Sequence, residues 1–420
     1  MSSRVRRLIA LVTLILALAL VAVLTLRALG LPIAVGPLAS PTDTPLPSVS
    51  ATPAASAGPG DILAAIEAQV VDLRDLPPAD IGPAEVVSRD ELERRLAEQF
   101  AEDYPPDEVA ADNAVLRALG LLTADQDIAG LQLQLLASSV LGYYDDTARQ
   151  MVIVSDAGLT PEAQVTYAHE YTHALQDAAF GLDTMRIDAT GEDDAVFARV
   201  GLVEGDATTA MVLWAVENLE PEDLLEISET PLPDTSGIPD WMLSQLEFPY
   251  LAGSEFTAQL YATGGFAAVD EAWLNPPAST EQVLHFPAYL DDEPPLGIDP
   301  LNPDIGFGGI TVVDTTFGEA MIGIWLAHLG VSEARAATAA AGWGGDRLYG
   351  LVSPDGADVA VLLRIAWDSP VDADQFVDAY TDVLAQLPLF GHLERLSETE
   401  VVITQATSEG FAESFSGPLD

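Results

Sequence analysis

The spacing of apolar and polar residues along the chain predicts a mainly helical protein with a few short strands. The segments before residue 142 whose apolar residues recur at helical spacing are Asp61–Val71, Ser88–Phe100, Asn113–Leu122 and Ile128–Leu141. A short strand at Ala84–Val87 and a pair of strands around the polar turn 145–150 interrupt this pattern. We therefore expect an α+β fold in which helices predominate.

The segment Thr160–Phe180 carries the signals of a complete helix. Thr160 is a suitable N-cap residue. Pro161 fits the first helical position, because an N–H group there would have no helical partner. Gly181 is typical of the position just beyond the C-terminus of a helix. The strand that precedes this segment therefore leads directly into a well-defined helix.

Within this helix the sequence from His169 to His173 is His-Glu-Tyr-Thr-His. Histidines four residues apart lie on one helical face, so both imidazoles can hold the same metal ion. Glu170 flanks that ion without being forced to bind it, which is where a carboxylate accepts a proton from a metal-activated water. The alternative interpretation is a buried helix with two hydrogen-bonded histidines and no metal.

A second helix, predicted over Ala195–Val216, offers a third ligand in Glu204. A catalytic zinc ion commonly takes three protein ligands and keeps one position open for water. Gly201 and Gly205 permit a close approach of the two helices, which a shared ion requires. The alternative is a surface carboxylate on an amphipathic helix, but the apolar residues just before Glu204 favour the ligand interpretation.

The composition limits the chemistry of this site and the partners of the protein. Cysteine is absent, so a zinc ion must be held by histidine and carboxylate side chains. The formal net charge is −50, from 66 acidic and 16 basic residues, and such a surface repels nucleic acid. We interpret this acidity as a bias for solubility or for a saline habitat. The alternative is a specific cationic partner.

The N-terminal residues predict attachment to a membrane. Three arginines precede the uncharged run Leu8–Leu26, which as a helix would span roughly 28 Å, close to the hydrocarbon core of a bilayer. We expect a signal-anchor transmembrane helix in a single-pass cell-membrane protein, with its folded part extracytoplasmic. The alternative is a cleaved signal peptide and a secreted protein. Residues 32–60, rich in Pro, Ser and Thr, predict a stalk.

The C-terminal half carries no second motif of this kind. Its predicted helices are 254–274, 280–285, 315–342 and 372–384, and its predicted strands are 359–367 and 400–404. The predicted domains are the cytoplasmic tip and transmembrane helix (1–31), the stalk (32–60), the lobe with the histidines (61–220), a mostly helical C-terminal lobe (221–405) and a polar tail (406–420).

The motif and its surroundings resemble the gluzincin class of zinc metallopeptidases, of which thermolysin is the familiar member. The strings that carry the resemblance are GYYDD at 142–146, HEYTHALQD at 169–177 and LVEGDAT at 202–208. They are also similar to poorly characterised bacterial membrane-anchored proteins with the same motif. The resemblance implies a zincin-like catalytic lobe with short edge strands, in which His169, His173 and Glu204 bind Zn²⁺ and Glu170 is the general base.

The resemblance also implies roles for residues around the ligands. Gluzincins commonly place an aspartate four residues after the third ligand, where it orients the first histidine, but this chain has Thr208 there. Asp177 and Asp206 are the carboxylates available to support the histidines instead. The candidates for the histidine or tyrosine that stabilises the oxyanion in such enzymes are His285 first, then Tyr250 and Tyr261.

The expected activity is zinc-dependent hydrolysis of peptide bonds in a peptide or protein substrate. The strand beside the metal helix would either pair with an extended substrate or have a purely structural role. Two other functions stay open: a catalytically inactive binding module that keeps the fold, and a zinc hydrolase of a non-peptide substrate.

Overall fold

The computed structural model describes residues 58–139, 142–154, 159–230, 234–298, 310–387 and 389–413. These residues form an α+β fold in which helices predominate, as the sequence predicts. The helices are α1 (Pro59–Arg74), α2 (Arg89–Asp103), α3 (Pro106–Ala118), α4 (Ile128–Ser139), α5 (Pro161–Phe180), α6 (Asp193–Asn218), α7 (Pro221–Glu229), α8 (Asp240–Gly264), α9 (Phe266–Leu274), α10 (Thr280–Leu284), α11 (Phe286–Leu290), α12 (Gly318–His328), α13 (Glu333–Ala340), α14 (Pro370–Leu384) and α15 (Glu409–Glu413). The strands are β1 (Glu85–Val87), β2 (Gly142–Asp145), β3 (Gln150–Val154), β4 (Ile310–Thr315), β5 (Trp343–Val352), β6 (Val359–Trp367), β7 (Phe390–Arg395) and β8 (Glu400–Ala406).

The predicted strands before the metal helix form a small sheet in the order β1-β3-β2. Strand β2 is antiparallel to β3 and lies at an edge, while β1 joins β3 in parallel. Helix α5 then begins at Pro161, where the Thr160 hydroxyl accepts a hydrogen bond of 3.2 Å from the Ala163 N–H. The helix ends before Gly181, which has a φ of 76°. The N-cap and the C-terminal glycine predicted from the sequence therefore delimit α5.

Helices α6 and α8 cross so closely that their backbones touch. A Cβ atom added at Gly205 would lie 2.2 Å from the Gly253 carbonyl oxygen, and one at Gly253 would lie 2.2 Å from the Gly201 carbonyl oxygen. Only glycine fits such a crossing. The contact brings Tyr250 of α8 next to Glu204 of α6, the predicted third ligand.

The C-terminal part contains a larger sheet than the sequence predicts. Strands β4 to β8 form one antiparallel sheet in the order β4-β5-β6-β8-β7. Helices α12 and α14 bury Trp325 and Phe376 in a core shared with Trp343 and Trp367 of the sheet. Of these five strands the sequence predicts two, at 359–367 and 400–404; the sheet and its covering helices follow α11, from β4 onward.

The predicted membrane anchor is also corrected. The run Leu8–Leu26 lies outside the described residues. Within the described ranges, no helix combines the length and the apolar character needed to cross a bilayer. The longest of these helices, α6 and α8, carry several carboxylates, which a membrane-spanning segment rarely tolerates. Single-pass anchoring and the localisation derived from it are therefore not supported, and we do not retain them.

Replacing Gly205 by alanine is expected to destabilise the protein, because its Cβ would overlap the Gly253 backbone, which cannot yield as a flexible side chain can. Overpacking of this kind costs about 1–3 kcal/mol or more in the free energy of unfolding. Urea unfolding of the variant measures this loss. Gly60→Ala is the control, because nothing lies within 4 Å of its added Cβ, and it should change stability by less than about 0.5 kcal/mol. Equal effects of the two variants would contradict a tight helix crossing.

Candidate metal centre

The side chains of His169, His173 and Glu204 converge on one point between α5 and α6. The Nε2 atoms of the two histidines lie 3.0 Å apart, and the Glu204 Oε2 atom lies 3.3 Å from His169 Nε2 and 3.4 Å from His173 Nε2. Within the described ranges, this is the one group of three or more histidine or carboxylate side chains close enough to hold a metal ion together. The structure thus brings together the three ligands predicted from the sequence.

The spacing of these donors fits a small tetrahedral ion. Zinc–ligand bonds of about 2.0–2.1 Å place two ligands of a tetrahedron about 3.3 Å apart. Gln176 supports the fit from the other side of the ring, because its Oε1 lies 2.8 Å from His173 Nδ1. An amide oxygen only accepts, so Nδ1 carries the proton of the neutral ring, and the lone pair of Nε2 points at the shared centre. Two imidazoles and one carboxylate are a common ligand set of catalytic zinc.

Electrostatics couple the three donors tightly in the protein interior. Burial lowers the pKa of His169 to about 4. Burial also opposes the charged forms of His173 and Glu204, but their mutual attraction outweighs it, raising the pKa of His173 to about 9 and lowering that of Glu204 to about 2. Glu204 and His173 therefore each favour the charged form of the other. A divalent cation at this point would take the place of the imidazolium proton in balancing the carboxylate.

Glu170 lies beside this group with one oxygen engaged and one not. Its Oε2 accepts a hydrogen bond of 3.0 Å from the backbone N–H of Tyr144 in β2. Its Oε1 is buried and has no hydrogen-bond partner among the described residues. Burial raises the pKa of Glu170 to about 8. The carboxyl group can therefore exist in either protonation state near neutral pH, as a group that takes up and returns a proton must.

Of the three candidates for stabilising an oxyanion, Tyr250 is the one whose contacts reach the metal-binding group. Its hydroxyl hydrogen-bonds to Glu204, and its ring centroid lies 6.4 Å from that of His169. His285, the first candidate from the sequence, instead pairs with Glu319 of α12, with 2.7 Å between His285 Nε2 and Glu319 Oε1. Tyr261 packs edge-on against a phenylalanine of α9. The geometry therefore favours Tyr250 over His285 for this role.

A buried polar network lies behind His173 and includes the predicted Asp206. The Gln176 side-chain amide donates to Asp206 Oδ2 at 3.0 Å, and the Arg74 guanidinium donates to both Asp206 oxygens at 2.8 and 3.0 Å. Trp273 also donates to Asp206 at 3.0 Å. Arg74 makes a further bond of 2.7 Å to Asp270. Asp206 thus supports His173 indirectly, by fixing the amide of Gln176.

Sequence reasoning missed most of this network. Gln176 follows His173 by three residues and lies on the same helical face, so its role has a readable signal. Arg74 ends helix α1 and Trp273 lies in α9, far from the motif along the chain. Nothing in the residues around Arg74 or Trp273 indicates a partner in α6.

Asp177, the other predicted support, holds the neighbouring backbone rather than an imidazole. It accepts hydrogen bonds from the Tyr144 hydroxyl at 3.1 Å and from the Leu182 N–H at 3.2 Å. The Thr208 hydroxyl and the Nδ1 atom of His169 are both buried and have no hydrogen-bond partner among the described residues. The structure thus shows no carboxylate in contact with the outer nitrogen of His169.

The N-terminus of α6 is clamped to the C-terminal part of the chain. The Asp194 carboxylate accepts hydrogen bonds from the Thr280 N–H at 3.2 Å and from the Thr280 hydroxyl at 2.5 Å. Asp346 of β5 accepts from the N–H of Gly318 at 2.7 Å, and the Gly318 backbone lies directly against Asp194. Burial raises the pKa of Asp194 to about 7 and that of Asp346 to about 6. The helix that carries Glu204 is therefore fixed at its start by the first residues of α10 and α12.

The three candidate ligands and their neighbours are closed off from solvent. His169, Glu170 and His173 are 0% exposed, and Glu204 and Tyr250 are each 2% exposed. A structural zinc site is normally closed in this way, whereas a catalytic site keeps an open position. A substrate could reach these side chains only if a covering element moved, and the edge strand β2 is bonded directly to Glu170.

Comparison with known proteins finds a match only over the C-terminal sheet and its helices. Residues 308–416 match the model of a family described as a domain of unknown function, DUF8575. This range runs from β4 to α15 and does not include His169, His173 or Glu204. No curated protein matches the chain, and no solved structure matches it.

Replacing Arg74 by methionine is expected to destabilise the protein by about 3–5 kcal/mol, because it leaves the Asp206 charge buried without its cation. Urea unfolding measures the loss. Arg94→Met is the matched control: Arg94 also pairs with two carboxylates, Glu91 and Glu98, but it is 52% exposed. That variant should lose less than about 1 kcal/mol. Similar losses in both variants would show that the buried network does not stabilise the fold.

Proposed function

We propose that the protein binds one zinc ion through His169, His173 and Glu204 and hydrolyses peptide bonds. The observation that carries this proposal is the convergence of two imidazoles and one carboxylate, 3.0 to 3.4 Å apart, beside a carboxyl group with one unpartnered oxygen. In this proposal the lobe around α5 and α6 is a zincin-like catalytic lobe, as the resemblance to gluzincins implies.

Each residue around the centre has a definite task in this reaction. A bound zinc ion would supply Lewis acidity, polarising the scissile carbonyl and lowering the pKa of a water molecule to about 7. Glu170 accepts the proton of the attacking water on Oε1 and returns it to the leaving nitrogen. Gln176 keeps His173 in the required tautomer. Tyr250 directs its hydroxyl at the centre, where it can donate to the oxyanion of the substrate.

The edge strand β2 offers a route for peptide recognition. Tyr144 turns its N–H away from β3 and donates it to Glu170. An extended peptide added along this edge would take over that N–H in main-chain pairing. Glu170 would then lose its one hydrogen bond and become the base for the reaction. Substrate binding and activation of the base are thereby coupled in one exchange of hydrogen bonds.

A second candidate function is a zinc-binding module without catalysis. The observation in its favour is the near-complete burial of the centre, which is typical of structural zinc sites. Glu170 then has only a structural role, as the acceptor that holds β2 against α5. The two candidates bind the same ion, so they differ in turnover and in the effect of changing Glu170.

Zinc analysis of the purified full chain, combined with digestion of a peptide library, tests the proposal. We expect one zinc per chain in the parent protein and loss of that zinc in His169→Ala and Glu204→Ala. Glu170→Gln should retain one zinc but cleave peptides about a hundred- to ten-thousandfold more slowly, because it removes the general base. Glu162→Gln, on the same helix, is the control and should match the parent in both measurements.

The outcomes separate the candidate functions. A parent protein without zinc would overturn both. One zinc per chain without peptide cleavage would favour the non-catalytic module. If the same protein then hydrolysed non-peptide ester or amide substrates, it would be a zinc hydrolase of another substrate. Cleavage by Glu170→Gln at the parental rate would remove Glu170 from the mechanism.

A further inference from the structure

A groove of about 420 Å³ lies between α8, α12 and α13, outside the metal centre. Its floor consists of small residues, which leave the space open: Ala252, Ala320, Gly323 and Ala340. Leu251 and Leu284 stand at its rim and are 46% and 41% exposed. The groove therefore presents a mainly apolar surface to a ligand.

Glu319 places a buried acceptor in this groove. Its side chain is 4% exposed, and its Oε1 pairs with His285 Nε2 at 2.7 Å. Its Oε2 is buried and has no hydrogen-bond partner in the described part of the chain. A buried carboxylate oxygen without a donor is costly, and a ligand that supplies an N–H group would satisfy it.

The charges around the groove favour a cation. Glu247 also lines it, and burial raises the pKa of this carboxyl group, with no neighbouring cation contributing to the shift. Hydrogen bonding to Glu319 and the nearby carboxylates Glu281 and Asp368 raise the pKa of His285, the one basic residue that lines the groove. Carboxylates thus outnumber the single imidazole, so a positively charged ligand is complementary.

We propose that this groove binds a small amphipathic amine, whose apolar body lies on the floor of small residues and whose ammonium group donates to Glu319 and Glu247. Apolar pockets with a few polar groups at one end are the usual form of small-molecule sites. The site is distinct from the candidate metal centre, because none of its lining residues is His169, His173 or Glu204. It would give the C-terminal part of the chain a ligand-binding role of its own.

Calorimetric titration of the full chain with 4-phenylbutylamine tests the proposal. We expect one amine bound per chain, and binding of the neutral analogue 4-phenylbutanol at least about tenfold weaker, because a charge-assisted hydrogen bond is lost. Glu319→Gln should weaken the amine about tenfold or more and bring the two ligands closer in affinity. Gly323→Leu should abolish binding of both ligands by filling the floor.

Two controls and one substitute variant keep the outcome clear. Glu255→Gln, on α8 outside the groove, should bind the amine as the parent does. His169→Ala should also bind it normally, which separates this proposal from the zinc proposal. If Glu319→Gln fails to show a cooperative thermal transition, Glu247→Gln replaces it, because Glu247 is partly exposed. Equal binding of amine and alcohol, undiminished binding to Gly323→Leu, or no binding at millimolar amine would each overturn the proposal.

Discussion

The arrangement of this protein depends on keeping ionisable side chains together in a place that water does not reach. Two imidazoles and the Glu204 carboxylate share one desolvated point, and each charge there is tolerated only because another balances it. Gln176 links His173 to the Asp206 carboxylate, and the buried guanidinium of Arg74 balances the charge of Asp206. Helix α1, at the start of the described chain, thereby becomes part of the support of a site on α5 and α6.

Helix geometry determines where these groups meet. The four-residue spacing in α5 sets the distance between the imidazoles, and the glycine crossing of α6 and α8 sets the distance to Tyr250. Helices normally pack with their axes 8–10 Å apart because side chains lie between them. Gly205 and Gly253 have no side chains, so α6 and α8 approach more closely than this. The Tyr250 hydroxyl of α8 therefore reaches the Glu204 carboxylate of α6. Small residues at a crossing thus have a chemical consequence at a neighbouring position.

Local signals in the sequence were sufficient for the centre itself. Thr160 and Gly181 delimit α5, and the residue types at 169, 173 and 204 predict the cluster that the structure contains. Long-range contacts were not accessible, because nothing local indicates that Arg74 meets Asp206. The sequence predicts too few strands in the C-terminal sheet. Strand β5, for example, contains Gly344, Gly345 and Asp346, and these residue types are typical of turns. In the structure the Asp346 carboxylate is buried and binds backbone N–H groups, so a polar residue occupies a strand.

Helix α6 is a rigid connection between two parts of the molecule. In its first turn the Asp194 carboxylate is bonded to Thr280 of α10 and lies against Gly318 of α12, and its middle carries Glu204. At about 1.5 Å per residue, these two carboxylates lie roughly 15 Å apart along the helix axis. The intervening backbone is hydrogen-bonded along the whole length of the helix, so the position of Glu204 is tied to the contacts that hold the first turn. The start of α6 is thus part of what determines where a donor at its middle lies.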